Sequence, residues 1–136
     1  MTSKPQTVLG IHNGALADCP SSPNCVSSFA TDEVHQIDPI DISGDVDGAW
    51  DRLVIVMGRF PKTRIVESDP DKGYLRCECR TPIVSYVDDV EFLLKKDEKQ
   101  LHVRSASRLG YSDMNANRNR VESIRNRFKE AIATAE

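Results

Sequence analysis

Two adjacent acids and a set of arginines are the residues in this sequence whose types and spacing could do chemistry. Asp88 and Asp89 stand together in YVDDVEFLL, with Glu91 two residues on, and Arg104 and Arg108 stand in HVRSASRLG. A carboxylate in apolar surroundings has its pKa raised and can work as a general base. Guanidinium groups hold carboxylate or phosphate through a bidentate fork. Tyr111, Ser112 and Asp113 follow, then Asn117, Arg118 and Arg120 in NANRNR. The positive end of a helix dipole favours acids. Arginines in the first turn of a helix are therefore either fully solvated or set against facing carboxylates or an anionic ligand.

Other chemistries have little support. No P-loop, G-x-G-x-x-G or G-x-S-x-G pattern is present, and no serine neighbours a histidine as a triad would require. His12, His35 and His102 are scattered, and five residues separate Cys19 from Cys25, so neither a metal site nor a cofactor is expected. Cys19 and Cys25 can bridge a short loop in an oxidising compartment. The N-terminus MTSKPQTVLG lacks the apolar core of a secretory signal, and the expectation is free thiols in a cytoplasmic protein. Cys77 and Cys79 lie on one face of a predicted strand and read as small buried apolar residues.

The elements that must position these residues follow from periodicity. Residues 45–60 carry Ala49, Leu53, Val56 and Phe60 on one helical stripe, with Trp50, Val54 and Met57 beside it. Ser43 or Asp45 could cap this helix, and Pro61 stops it. The period then becomes two. TRIVES (63–68) and YLRCECR (74–80) make a hairpin through DPDKG, and Leu75, Cys77 and Cys79 alternate with Arg76, Glu78 and Arg80. In the next hairpin Val84, Tyr86, Asp88, Val90, Phe92 and Leu94 share a face. A loop over 95–100 pairs Leu94 with Leu101, so Phe92 faces Val103, Val90 faces Ser105 and Asp88 faces Ser107. On the opposite face Glu91 meets Arg104, and Asp89 lies diagonal to Arg108. Such cross-strand charge pairs fix register. Asp88, on the apolar face, needs a partner, for which Ser107 and the following turn are the nearest candidates. Residues 114–135 form a helix with Val121, Ile124, Phe128, Ala131, Ile132 and Ala135 on its stripe, capped by Ser112, Asp113 or Asn117. The expected fold is α+β: a four-stranded antiparallel meander in the order α-β-β-β-β-α, with two helices on one face and an irregular N-terminal arm.

The 136 residues are one domain's worth, with the arm over 1–42 and the α+β body over 43–136. The net charge of −3 speaks against a general nucleic-acid binder. No apolar run is long enough to span a bilayer.

LADCPSSPNCVSS, VHQIDPI, VDDVEFLL and HVRSASRLGYSDMNANRNRVESIR together resemble the family catalogued as domain of unknown function 1499. The family has no settled activity, and some relatives carry a membrane or export segment ahead of the domain. The resemblance implies that the motif residues are Cys19, Pro20, Ser22, Pro23, Asn24 and Cys25 in the arm. In the hairpin and turn they are Asp88, Asp89, Glu91, Phe92, Arg104, Ser105, Ser107, Arg108, Gly110, Tyr111, Ser112 and Asp113, and in the helix Asn117, Arg118 and Arg120. Met114 replaces the usual aliphatic residue.

The resulting expectation is a non-catalytic domain that binds an acidic or polar small molecule, such as a lipid head group. Its site would be Asp88, Asp89, Arg104, Ser107, Arg108, Tyr111, Asp113, Asn117, Arg118 and Arg120. Cys19, Ser22, Asn24 and Cys25 would form a second block, joined to the first if the arm folds over the hairpin end. The alternatives are an enzyme with Asp88 or Asp89 as general base, and a protein-interaction module using the apolar arm. The oligomeric state is open.

Overall fold

Alternation of apolar and polar residues governs the centre of the molecule, and longer-range pairing governs its edge. The computed structural model describes residues 4, 5 and 8–135, with side chains described as far as Ala131. In chain order the elements are Ile11–His12 (β1), Ala15–Leu16 (β2), Cys25–Ser27 (β3), Ile40–Asp41 (β4), Ala49–Arg59 (α1), Thr63–Asp69 (β5), Tyr74–Arg80 (β6), Val87–Lys95 (β7), Gln100–Ser107 (β8) and Ala116–Ala135 (α2).

The expected meander is present as β5, β6, β7 and β8, each antiparallel to the next. The register of the β7–β8 hairpin is the one the sequence predicts, with Leu94 opposite Leu101, Glu91 opposite Arg104 and Asp88 opposite Ser107. The architecture is nevertheless larger than four strands. Among the described residues there are eight, in two sheets. Both β3 and β4 pair antiparallel with the outer edge of β8, making a six-stranded sheet, and β1 and β2 form a two-stranded sheet of their own. The arm expected to be irregular therefore completes the sheet edge. Its strands are two or three residues long, too short for a period to show.

Leu75, Cys77, Cys79, Val90, Phe92, Leu94, Leu101 and Val103 face the helices and meet Leu53, Val56 and Met57 of α1 and Val121, Ile124 and Phe128 of α2. Cys77 and Cys79 are buried free thiols there, as expected. The side chains of Ile132 and Ala135 lie outside the described residues. Helix α1 starts at Ala49, the first residue of its apolar stripe and not at the expected residue 45, and neither Ser43 nor Asp45 caps it. Asp113 caps α2, accepting from the Asn115 and Asn117 amides at 2.9 and 3.1 Å. Gly73 closes the β5–β6 turn at φ +70°, where a Cβ would stand 2.7 Å from the Leu94 carbonyl oxygen, so no larger residue fits.

Two further sequence expectations need correcting. Val84 and Tyr86 do not join the apolar face, because β7 begins at Val87 and both are exposed in the preceding loop. Left-handed backbone at Ile83 and Ser85 breaks the alternation there. Cys19 and Cys25 are joined in a disulfide, not free. The free-thiol expectation rested on compartment alone, whereas the folded arm brings their Cα atoms to 5.7 Å, within bridging range. Among the described residues no helix is long and apolar enough to cross a membrane.

Candidate functional site

Because side chains alternate along β8, the sheet divides the motif residues between its two faces. Ser105 and Ser107 point toward the helices, and Arg104 and Arg108 point the other way. Four arginines near one hairpin end thus fall into two groups with a sheet between them. The single pocket built from Arg104, Arg108, Arg118 and Arg120 is not formed.

On the helix side Asn117 is the hub. Its amide donates to Asp113 Oδ2 at 2.7 Å, to Ser107 Oγ at 2.9 Å and to the Asn24 carbonyl at 3.2 Å. Its Oδ1 accepts from Ser105 Oγ at 2.7 Å and from Arg120 at 2.9 Å. Arg120 reaches Asp88 at 2.7 Å, and Asp88 is only 1% exposed. The acid on the apolar face is therefore matched by an arginine from α2, not by Ser107 or the turn. From the arm, Asn24 donates to the Gly110 and Leu109 carbonyls at 2.9 and 3.3 Å and accepts from Ser22. The CPSSPNC loop does fold onto the hairpin end, so the two motif blocks form one network. Arg118 lies apart from it, donating to the Gln36 and Val34 carbonyls of the arm. Tyr111 is exposed and joins neither group.

The outer face carries a second network. Arg104 is fully buried and stands 3.5 Å from Glu91, and it donates to the Ala17 and Asp18 carbonyls of the arm. Burial lowers its pKa, and the charge of Glu91 opposes that shift. Glu91 also accepts from the Tyr74 hydroxyl at 2.6 Å and the Gly10 amide at 2.8 Å. Burial first, then the hydrogen bond to Glu91 and its charge, push the Tyr74 phenol well above its usual range. Above Asp89 and Arg104, beneath Leu9 and Pro20, only about 10 Å³ is free, too little for a ligand.

Further along this face the cover opens into a groove of about 480 Å³. Its floor is Glu67, Tyr74, Arg76, Glu78 and Arg108, and Leu9 and Gly10 form part of its wall. Arg108 is held tightly, donating through Nε and Nη2 to both oxygens of Asp89 and through Nη2 to Glu78, all at 2.8 Å. The Asp89 hydrogen bond is the main reason its pKa is raised. Burial favours the neutral form of Glu78, but the Arg108 hydrogen bond and charge prevail and lower its pKa. Arg76 is held loosely. Its contacts with Asp89, Glu78 and Glu67 are 3.6, 3.7 and 3.8 Å, too long for firm hydrogen bonds, and its side chain is 22% exposed.

The groove thus keeps Arg108 from the expected set, with Asp89 behind it as its ion-pair partner, and adds Tyr74, Arg76, Glu67 and Glu78, which the sequence expectation did not include. A signal was available, since Arg76, Glu78 and Arg80 alternate on the outward face of the strand next to Asp89 and Glu91. Residues 15–128 match the model of the family described as Protein of unknown function (DUF1499), and the chain belongs to that family. No curated protein and no solved structure matches it.

Proposed function

We propose that this family member is a non-catalytic binding domain whose outer-face groove takes a small polar molecule bearing an acidic group. Arg76 carries the reading. It is a guanidinium on the floor of an open groove whose carboxylate contacts all exceed firm hydrogen-bond length. An acidic group arriving there could gain shorter, charge-assisted hydrogen bonds. Glu67 and Glu78 would accept from hydroxyl or amine groups of the same ligand, and Leu9 would cover its apolar part. The enzyme alternative has less support. Asp88 and Asp89 are buried and ion-paired, so neither offers an accessible base.

Titration of the labelled protein with glycerol 3-phosphate, followed by amide NMR, tests this reading. Shifts should centre on Tyr74, Arg76 and Glu78, and Arg76→Gln should weaken binding about tenfold or more. Absence of shifts, or shifts unaltered by Arg76→Gln, would defeat the proposal.

A further inference from the structure

At the end of the sheet where β6 and β8 finish, the fold exposes a set of apolar side chains. The β6–β7 loop presents Ile83, Val84 and Tyr86, and the β8–α2 loop presents Leu109, Tyr111 and Met114. Ile83 is 99% exposed, Met114 89% and Tyr111 71%. Both loops leave the same end of the sheet, because the Arg108 amide donates to the Val87 carbonyl where the two strands meet. Large apolar side chains gathered at one end are uncommon on a soluble surface.

The backbone holds them out against its own preference. Ile83 has φ +70° and Met114 φ +53°. A β-branched residue in the left-handed region is a genuine outlier, and such conformations persist only where the surroundings impose them. Here the Thr81 amide and Tyr86 carbonyl close the first loop at 2.8 Å, and Asn24 and the Asp113 cap fix the second. The buried Asn24–Asn117–Asp113 network thus acts as a clamp on the loops that carry Leu109, Tyr111 and Met114.

The charge around the tips identifies what they meet. Lys62, Arg64 and Arg80 are exposed at this same end, linked by the Arg80 amide donating to the Lys62 carbonyl. Glu78, beside them, is already engaged by Arg108 and Arg64. Asp41, Asp45, Asp47, Asp69 and Asp71 of this net-negative chain lie toward the other end of the strands, with the lysines of the β7–β8 turn. We infer that this end docks on an anionic lipid surface, with the apolar tips entering the interface and Lys62, Arg64 and Arg80 facing the head groups. Separate protruding tips rimmed by cations, two of them tyrosines, suit an interface in which amphipathic rings sit at head-group level.

Co-sedimentation of the full chain tests this, with vesicles of phosphatidylcholine alone and with vesicles that also contain phosphatidylserine. Binding should require phosphatidylserine and weaken as salt rises. Ile83→Asn should reduce it at least about tenfold. The same change should leave thermal stability unchanged or raised, since asparagine suits left-handed backbone. Tyr111→Ser should weaken binding similarly. Equal sedimentation with both vesicle types, or full binding by both variants, would overturn the inference. So would a concentration-dependent dimer that Ile83→Asn abolishes, because the patch would then belong to a second copy of the chain.

Discussion

Asp88 and Arg120 form an ion pair in the interior, and a pair of this kind is far costlier to break than to remove. Arg120→Met should leave the Asp88 charge buried without its partner, at about 3–5 kcal/mol of stability. Adding Asp88→Asn should recover most of that loss, because the uncompensated charge is then gone. Urea denaturation of the single and double variants measures both effects. Titrating side chains also set an alkaline limit. Burial pushes the Cys77 thiol up to about 12 and raises Cys79, and burial with the Glu91 hydrogen bond raises Tyr74. A raised folded pKa gives stability that is complete below the unfolded value and is lost as pH climbs toward the folded one. Stability should therefore decline from roughly pH 8.5, where unfolded thiols ionise, and further near about 10, where an unfolded phenol does. The urea midpoint followed against pH should fall less steeply in Cys77→Ala.

Among the elements, the arm is fastened in three ways. Strands β3 and β4 pair with β8, Arg118 and Arg125 bind the carbonyls of Val34, Gln36, Asp38 and Pro39, and the Cys19–Cys25 bridge closes the loop that presents Asn24. A loop this short is worth about 2 kcal/mol of chain entropy when crosslinked. Replacing both cysteines with serine should lower stability by about that amount. Hydrogen exchange should speed up in residues 15–28 before it does so in β6 or β7. These fastenings also explain what the sequence could convey. The β7–β8 register was legible because eight alternating residues and one short loop determine it locally. Pairing of Cys25 with Ala106 was not, since three residues carry no period. The partners of Arg118 were hidden for a related reason. Backbone carbonyls leave no mark in a sequence, and only the fold shows which ones an arginine can reach. At the candidate site the charged residues of β7 and β8 could be read, but whether each was open or sealed depended on where the arm lay.

For the molecule as a whole, the sheet separates two kinds of interior. The helix side is mainly apolar and, at the hairpin end, holds the Asn117 network with the buried Asp88–Arg120 pair, whereas the outer side is a charged network sealed in part by the arm. This arrangement accommodates 29% charged residues in a chain that still closes a core. It also orders events during synthesis. Cys25, Val26 and Ser27 leave the ribosome long before Ala106, Ser105 and Arg104, the residues they must pair with. Until then the arm has no strand to join, and the Ala17 and Asp18 carbonyls lack the Arg104 guanidinium that binds them in the fold. The meander and its helices can associate first, with the N-terminal segment docking last. Pairing across so long a stretch of chain should make that final docking the slowest step, which refolding kinetics followed by hydrogen-exchange labelling of β3 would show.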